Sequence, residues 1–152
     1  MTSDTLTGKI GEYIKGTDTF LDEFSVTVDR DAIIPVCRIL KEDEECLFDF
    51  LSDCFGVDRL PETPRFMVVY NLYSLKHRHR IRIKVPLEES DAEIASVTPI
   101  WNSANWLERE CFDMFGIRFT GHPDLRRIIT PPNLEGYPLR KDFPLDGSEK
   151  ND

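Results

Sequence analysis

Residues 79–87 read HRIRIKVPL, with His79, Ile81, Ile83 and Val85 falling between Arg80, Arg82 and Lys84. Side chains alternate between the two faces of a strand, so this pattern allows a strand with one apolar and one basic face and excludes a helix. A tight basic turn separates it from the aromatic-rich run RFMVVYNLYSL. The run CLFDFLSDCFGVD lies before that, across the proline-rich RLPETP. Three strands joined by short loops predict an antiparallel meander covered on one face.

The covering comes from helices. Leu6, Ile10, Tyr13 and Ile14 share one helical face, which predicts a helix over 5–15, and Phe24, Val26 and Val28 then alternate as a strand. In DRDAIIPVCRIL, aspartates precede apolar residues at helical spacing and Pro35 stands near the first turn, so a second helix is expected over 30–41. A third is expected over 103–115, capped by Asn105 with Glu108 reciprocating and ended by Gly116. The fold class is therefore α+β, a mostly antiparallel or mixed sheet with helices packed on it, over residues 1–120. Residues 121–145 are rich in Pro and Gly and without periodicity, yet they carry spaced apolar side chains, which predicts an extended arm lying on a surface. Residues 146–152 are expected to form a disordered tail.

A chain of 152 residues can bury roughly 68–70% of its unfolded surface without disulfides or metals. Cys37, Cys46, Cys54 and Cys111 contain no CxxC pair and stand at no zinc-ligand spacing, so they are expected as free thiols. The N-terminal stretch has neither an apolar signal core nor an Arg-rich transit pattern, and nothing approaches the roughly 18 apolar residues of a membrane span. Membrane association would be indirect. The net charge of −9 disfavours nucleic acid as a partner, so the basic run KHRHRIRIK is expected to meet an acidic protein surface.

The densest chemistry lies in NWLERECFDMFGIRF. On a helical wheel Leu107, Cys111, Phe112, Met114 and Phe115 span one arc, and Trp106, Arg109, Glu110 and Asp113 the other. Glu108 falls in the apolar arc and needs a partner, with Arg118, Arg126, Arg127 or a base of the 80–84 strand as candidates. Arg109 and Asp113, four apart, are expected as a surface pair. An enzyme reading would make Glu108 and Glu110 an acid–base pair or ligands of a hard metal. Residues two apart on a helix diverge by about 200°, which disfavours it. His77, His79 and His122 lack companions at ligand spacing.

The run NWLERECFDMFGIRFTGHPDLRRIITP resembles the signature of the 30-kilodalton subunit family of respiratory complex I, the C-type subunit of the bacterial NADH:quinone oxidoreductase. Its positions are filled by Glu108, Arg109, Glu110, Asp113, Met114, Phe115, His122, Arg126, Ile128 and Ile129. YSLKHRHRIRIKV and EGYPLRKDFPL are similar to further stretches of the family. The resemblance implies a hydrophilic, peripheral subunit without catalysis of its own, on the cytoplasmic face of the bacterial inner membrane. It implies no cofactor on this chain, with NADH, FMN, iron–sulfur clusters and quinone held by other subunits. Its partners would be the 49-kilodalton-type quinone-site subunit and neighbouring iron–sulfur subunits. Glu108 and His122 would fix the turn after the helix, Arg126 and Arg127 would lie at the partner interface, and Tyr137, Leu139, Arg140, Lys141 and Phe143 would supply arm contacts. Energy-converting hydrogenases and F420H2 dehydrogenase carry related subunits; a sequence without a fused hydrogenase domain fits complex I better. Many bacterial members continue beyond KDFPL with an acidic, aromatic tail, where this sequence stops at Asp152.

Overall fold

The computed structural model describes residues 3–144. The expected tail at 146–152 lies outside the described residues. Helix α1 (Ser3–Ile10) leads through a 3-10 turn into strands β1 (Ile14–Phe20) and β2 (Glu23–Val28). Helix α2 (Ile33–Glu42) precedes β3 (Phe50–Asp58), β4 (Phe66–Ser74) and β5 (His79–Leu87). The short β6 (Glu93–Ala95), helix α3 (Ala104–Phe115) and β7 (Arg118–Thr120) follow.

The five long strands form one sheet in the order β1-β2-β5-β4-β3, antiparallel except for the parallel pair β2–β5. Strands β6 and β7 form a separate parallel pair. The expected meander is present: Phe66, Val68, Tyr70 and Leu72 stand opposite Leu87, Val85, Ile83 and Ile81 in register. All eight are buried, together with Ile33, Val36, Cys37 and Leu40 of α2 and Ala104, Cys111 and Phe115 of α3. Burying side chains of this size stabilises by about 1.5–3 kcal/mol each before chain entropy is counted. All four cysteines are free and buried.

Two expectations at the ends of elements are corrected. The first helix stops at Ile10 and does not reach residue 15; Ile14 already pairs with Val28 in an edge hairpin. Most of β1 is exposed and held by backbone pairing, so no apolar alternation marks it in the sequence. Helix α3 has no side-chain cap: Ser103 occupies the N-cap position, and neither Asn105 nor Glu108 acts there. Pro35 is the third residue of α2, where its missing N–H leaves no hydrogen bond unmade.

Helix α3 lies close against β3 because Gly56 has no side chain; a Cβ there would come within 2.7 Å of the Phe115 ring. At its end Gly116 takes φ +78°, and its N–H bonds the Phe112 carbonyl. A Cβ at Gly116 would also stand 2.5 Å from the Tyr137 ring. Gly116→Ala is therefore expected to destabilise by about 1–3 kcal/mol, read as a lowered midpoint in urea.

Candidate functional site

Helix α3 is covered on two sides. Its sheet side buries Ala104, Glu108, Cys111 and Phe115, and its other side is closed by residues 122–143, which have no regular secondary structure. The first side places Glu108 as the wheel predicts, but its partners differ. The carboxylate accepts the Ser96 hydroxyl at 2.6 Å and the Val97 N–H at 2.8 Å, and no arginine reaches it. Glu108 thus ties the segment before α3, not the turn after it, to the helix.

Burial pushes the Glu108 carboxyl up to about 7, against the Ser96 hydroxyl and the Val97 amide, which both favour the charged form. Unfolded, the same group titrates near 4.3. Because the folded pKa is the higher, the folded state holds the extra proton. Its contribution is complete below about pH 4 and is lost as pH rises through 7. The shift corresponds to roughly 3 kcal/mol. Urea denaturation at pH 5 and pH 8 should show this fall in the wild type, and Glu108→Gln, which cannot ionise, should flatten it.

The second side overturns the expected Arg109–Asp113 pair. Asp113 is fully buried beneath the arm and is the arm's anchor. One oxygen accepts the backbone N–H groups of Ile128, Ile129 and Thr130 at 3.2, 2.8 and 3.0 Å. The other accepts the Arg127 guanidinium at 3.1 Å and the Thr130 hydroxyl. Burial alone would raise this carboxyl; the Thr130 hydroxyl and the backbone donors outweigh it and hold the group at about 2. Arg109 instead donates to the Arg126 carbonyl and lies over the Trp106 ring.

Arg127, expected at the partner interface, makes several hydrogen bonds within the chain. Its side chain is 11% exposed, it donates to the Gly136 carbonyl at 2.7 Å and it stacks over Tyr137. Arg126, 71% exposed and paired with Asp124, faces outward. His122 accepts the Asp124 N–H through Nδ1 and bonds the Asn105 carbonyl through Nε2, tying the start of the arm to α3.

A second clasp, which the sequence reading missed, holds the far end of the arm. Arg65 and Asp58 are buried and form a two-bond pair at 2.8 and 2.9 Å. Arg65 also reaches Asp142 at 2.8 Å and Glu89 at 3.1 Å, and Asp58 accepts the Lys141 N–H at 2.8 Å. The Arg65 guanidinium holds the Asp58 carboxyl well below the usual range. The available signal was positional: an acid and a base bracket the RLPETP connection between two antiparallel strands. Between the clasps, Leu139 N–H bonds the Met114 carbonyl and Arg140 bonds the Phe115 carbonyl at 2.7 Å. Tyr137 meets Phe112 edge-on, and Phe143 bonds back to the Arg140 carbonyl through its N–H.

The carboxylates do not assemble a reaction centre here. Glu108 points inward, while Glu110 accepts the Trp106 indole N–H at the surface. His77 and His79 stack on each other and bond the Glu44 and Cys46 carbonyls, away from His122. Among the described residues, no cluster of three or more His, Cys, Asp or Glu is placed to hold a metal ion. No helix among them is long and apolar enough to cross a membrane.

The clasped arm leaves Arg126, Ile129 and Leu139 exposed, and Trp106 of α3 is exposed as well. The geometry defines an α+β domain whose third helix carries a locked, surface-presenting arm. Within that class the chain belongs to the family described as respiratory-chain NADH dehydrogenase, 30 Kd subunit, whose profile matches residues 26–149. It is 55% identical over 141 residues to the second C-type subunit of the NADH-quinone oxidoreductase of Rhizobium etli, covering 91% of this chain and 74% of that one. It is 44% identical over 143 residues to the C-type subunit of the same enzyme of Geobacter sulfurreducens, covering 93% and 87%. Among solved structures it resembles the trypsin-resistant fragment of Nqo5, with a TM-score of 0.65 and 32% identity over 80% of this chain and 95% of that one. A chain of an archaeal membrane-bound sulfane sulfur reductase shares the fold, with a TM-score of 0.78 at 24% identity, over 97% of this chain and 88% of that one.

Proposed function

We propose that this chain is a non-catalytic, hydrophilic subunit of the peripheral arm of a proton-translocating NADH:quinone oxidoreductase. It docks on the 49-kilodalton-type subunit near the quinone site and supports electron transfer from NADH to quinone by holding that region together. NADH, FMN, the iron–sulfur clusters and quinone are bound by other subunits, and attachment to the cytoplasmic face of the inner membrane is through the complex. Family membership supports the setting. The observation that carries the docking role is the arm itself. Two buried charged clasps, at Asp113 and at Arg65–Asp58, fix a segment that has no regular structure and whose Ile129 and Leu139 face outward.

Ordering such a segment in advance removes an entropy term that a free arm would lose on binding. Trp and Arg, exposed here as Trp106 and Arg126, are among the residue types that carry most interface energy. The test is Trp106→Ala combined with Ile129→Ser in the full chain. As exposed sites, these should change the stability of the isolated protein by about 0.5 kcal/mol or less. Co-purification of the 49-kilodalton-type subunit should fall about tenfold or more, the equivalent of about 1.4 kcal/mol. Unchanged co-purification would remove this face from the interface.

A further inference from the structure

The sheet has a second face, and among the described residues no helix packs on it. Its outward row on β5 is Arg80, Arg82 and Lys84, opposite Tyr73, Asn71 and Val69 of β4. At the end of the sheet where β5 begins, three features meet: the β1–β2 turn, the β4–β5 turn and the start of β3. Between them lies an open cleft of about 310 Å3 bounded by Glu23, Phe24, Phe50, Tyr73, Arg80 and Arg82. The two turns at this end carry Phe20, Leu21 and Leu75, which are 70%, 82% and 63% exposed. These are large apolar side chains left in water at the end of the sheet opposite the Asp58–Arg65 clasp of the arm.

The charge beside the cleft is equally unspent. Among the described residues neither Arg80 nor Lys84 has a carboxylate within 4 Å, and Arg80 lies only over the Tyr73 ring. Arg82 shares itself between Glu23 at 3.3 Å and Asn71 at 2.9 Å. Three cations on alternate residues of one strand stand about 7 Å apart. That is the repeat of side chains on one face of an extended peptide, and the net charge of −9 on the whole chain works against a continuous polyanion such as nucleic acid or an anionic membrane.

We propose that this cleft is a second docking site, receiving an extended acidic segment of a neighbouring protein subunit. One bulky apolar side chain of that segment enters between Phe50 and Tyr73, and its carboxylates meet Arg80 and Lys84. The inference rests on the reading of the chain as one subunit among several, and concerns a contact separate from the arm.

The test uses the full chain expressed in its host, with the photo-crosslinker p-benzoyl-phenylalanine placed at Phe50 in one version and at Leu139 in another. The Phe50 probe is expected to capture an Asp- and Glu-rich stretch of a co-purifying subunit, different from the stretch captured at Leu139. Arg80→Glu with Lys84→Glu should cut the Phe50 yield at least tenfold and leave the Leu139 yield unchanged. Capture at Leu139 with none at Phe50, capture of lipid or nucleic acid at Phe50, or a Phe50 yield indifferent to the charge reversal overturns the second site alone. A chain recovered without other subunits, and crosslinked at neither position, overturns the docking reading and this inference with it.

Discussion

Asp113→Ala is expected to lower stability by about 3–5 kcal/mol, the scale of breaking a buried ion pair by removing one partner. The substitution leaves three backbone N–H groups of residues 128–130 without their acceptor and a nearly buried Arg127 without its counter-charge. The loss should be local in its first stage: hydrogen exchange at 127–143 should accelerate before exchange in β4 and β5 does. Asp113→Asn should recover only part of the loss, because an amide offers one acceptor oxygen where the carboxylate offers two. The pH dependence has the opposite sign to that of Glu108. A carboxyl held at about 2 contributes stability that is present above its unfolded pKa and lost as pH falls through 2. A loss below about 1 kcal/mol in urea denaturation would mean that the arm is not anchored here.

Arg65→Met should have a comparable effect, again about 3–5 kcal/mol, for a different reason. Methionine fills much of the volume of the arginine stem, so packing is largely kept while Asp58 is left as a buried carboxylate facing no cation. Asp142, which closes the arm onto Arg65, loses its partner, while the Lys141 N–H keeps Asp58 as its acceptor. The double variant Asp58→Asn with Arg65→Met removes both charges and should regain a substantial part of the stability. If the double variant is as damaged as the two single losses added together, the pair is not the source of the effect.

These two clasps also mark where sequence reasoning stops. The meander was legible because the alternation in 79–85 reports burial on one face directly. Helix α3, its glycine stop and the burial of Glu108 were legible because one helical wheel contains all that decides them. Asp113 was not, since its wheel position is polar only until a distant segment covers it; its donors lie 14–17 residues downstream in a stretch without periodicity. The same distance hid the bonds of Arg127 to Asp113 and Gly136. The expected helix runs into the first two residues of β1 because Ile14 continues the spacing of Ile10, and an exposed edge strand carries no apolar pattern to oppose that reading. The Arg65–Asp58 pair needed knowledge of how the arm returns across the β3–β4 connection.

The central claim is that this chain is a docking subunit seated on the 49-kilodalton-type protein. Its most direct test is to tag the chain in its native host, capture it from gently solubilised membranes and identify the accompanying proteins by mass spectrometry. Recovery of the 49-kilodalton-type subunit together with flavin and iron–sulfur subunits is the predicted result. Recovery of the chain alone, or with a nickel–iron hydrogenase subunit in their place, would contradict it.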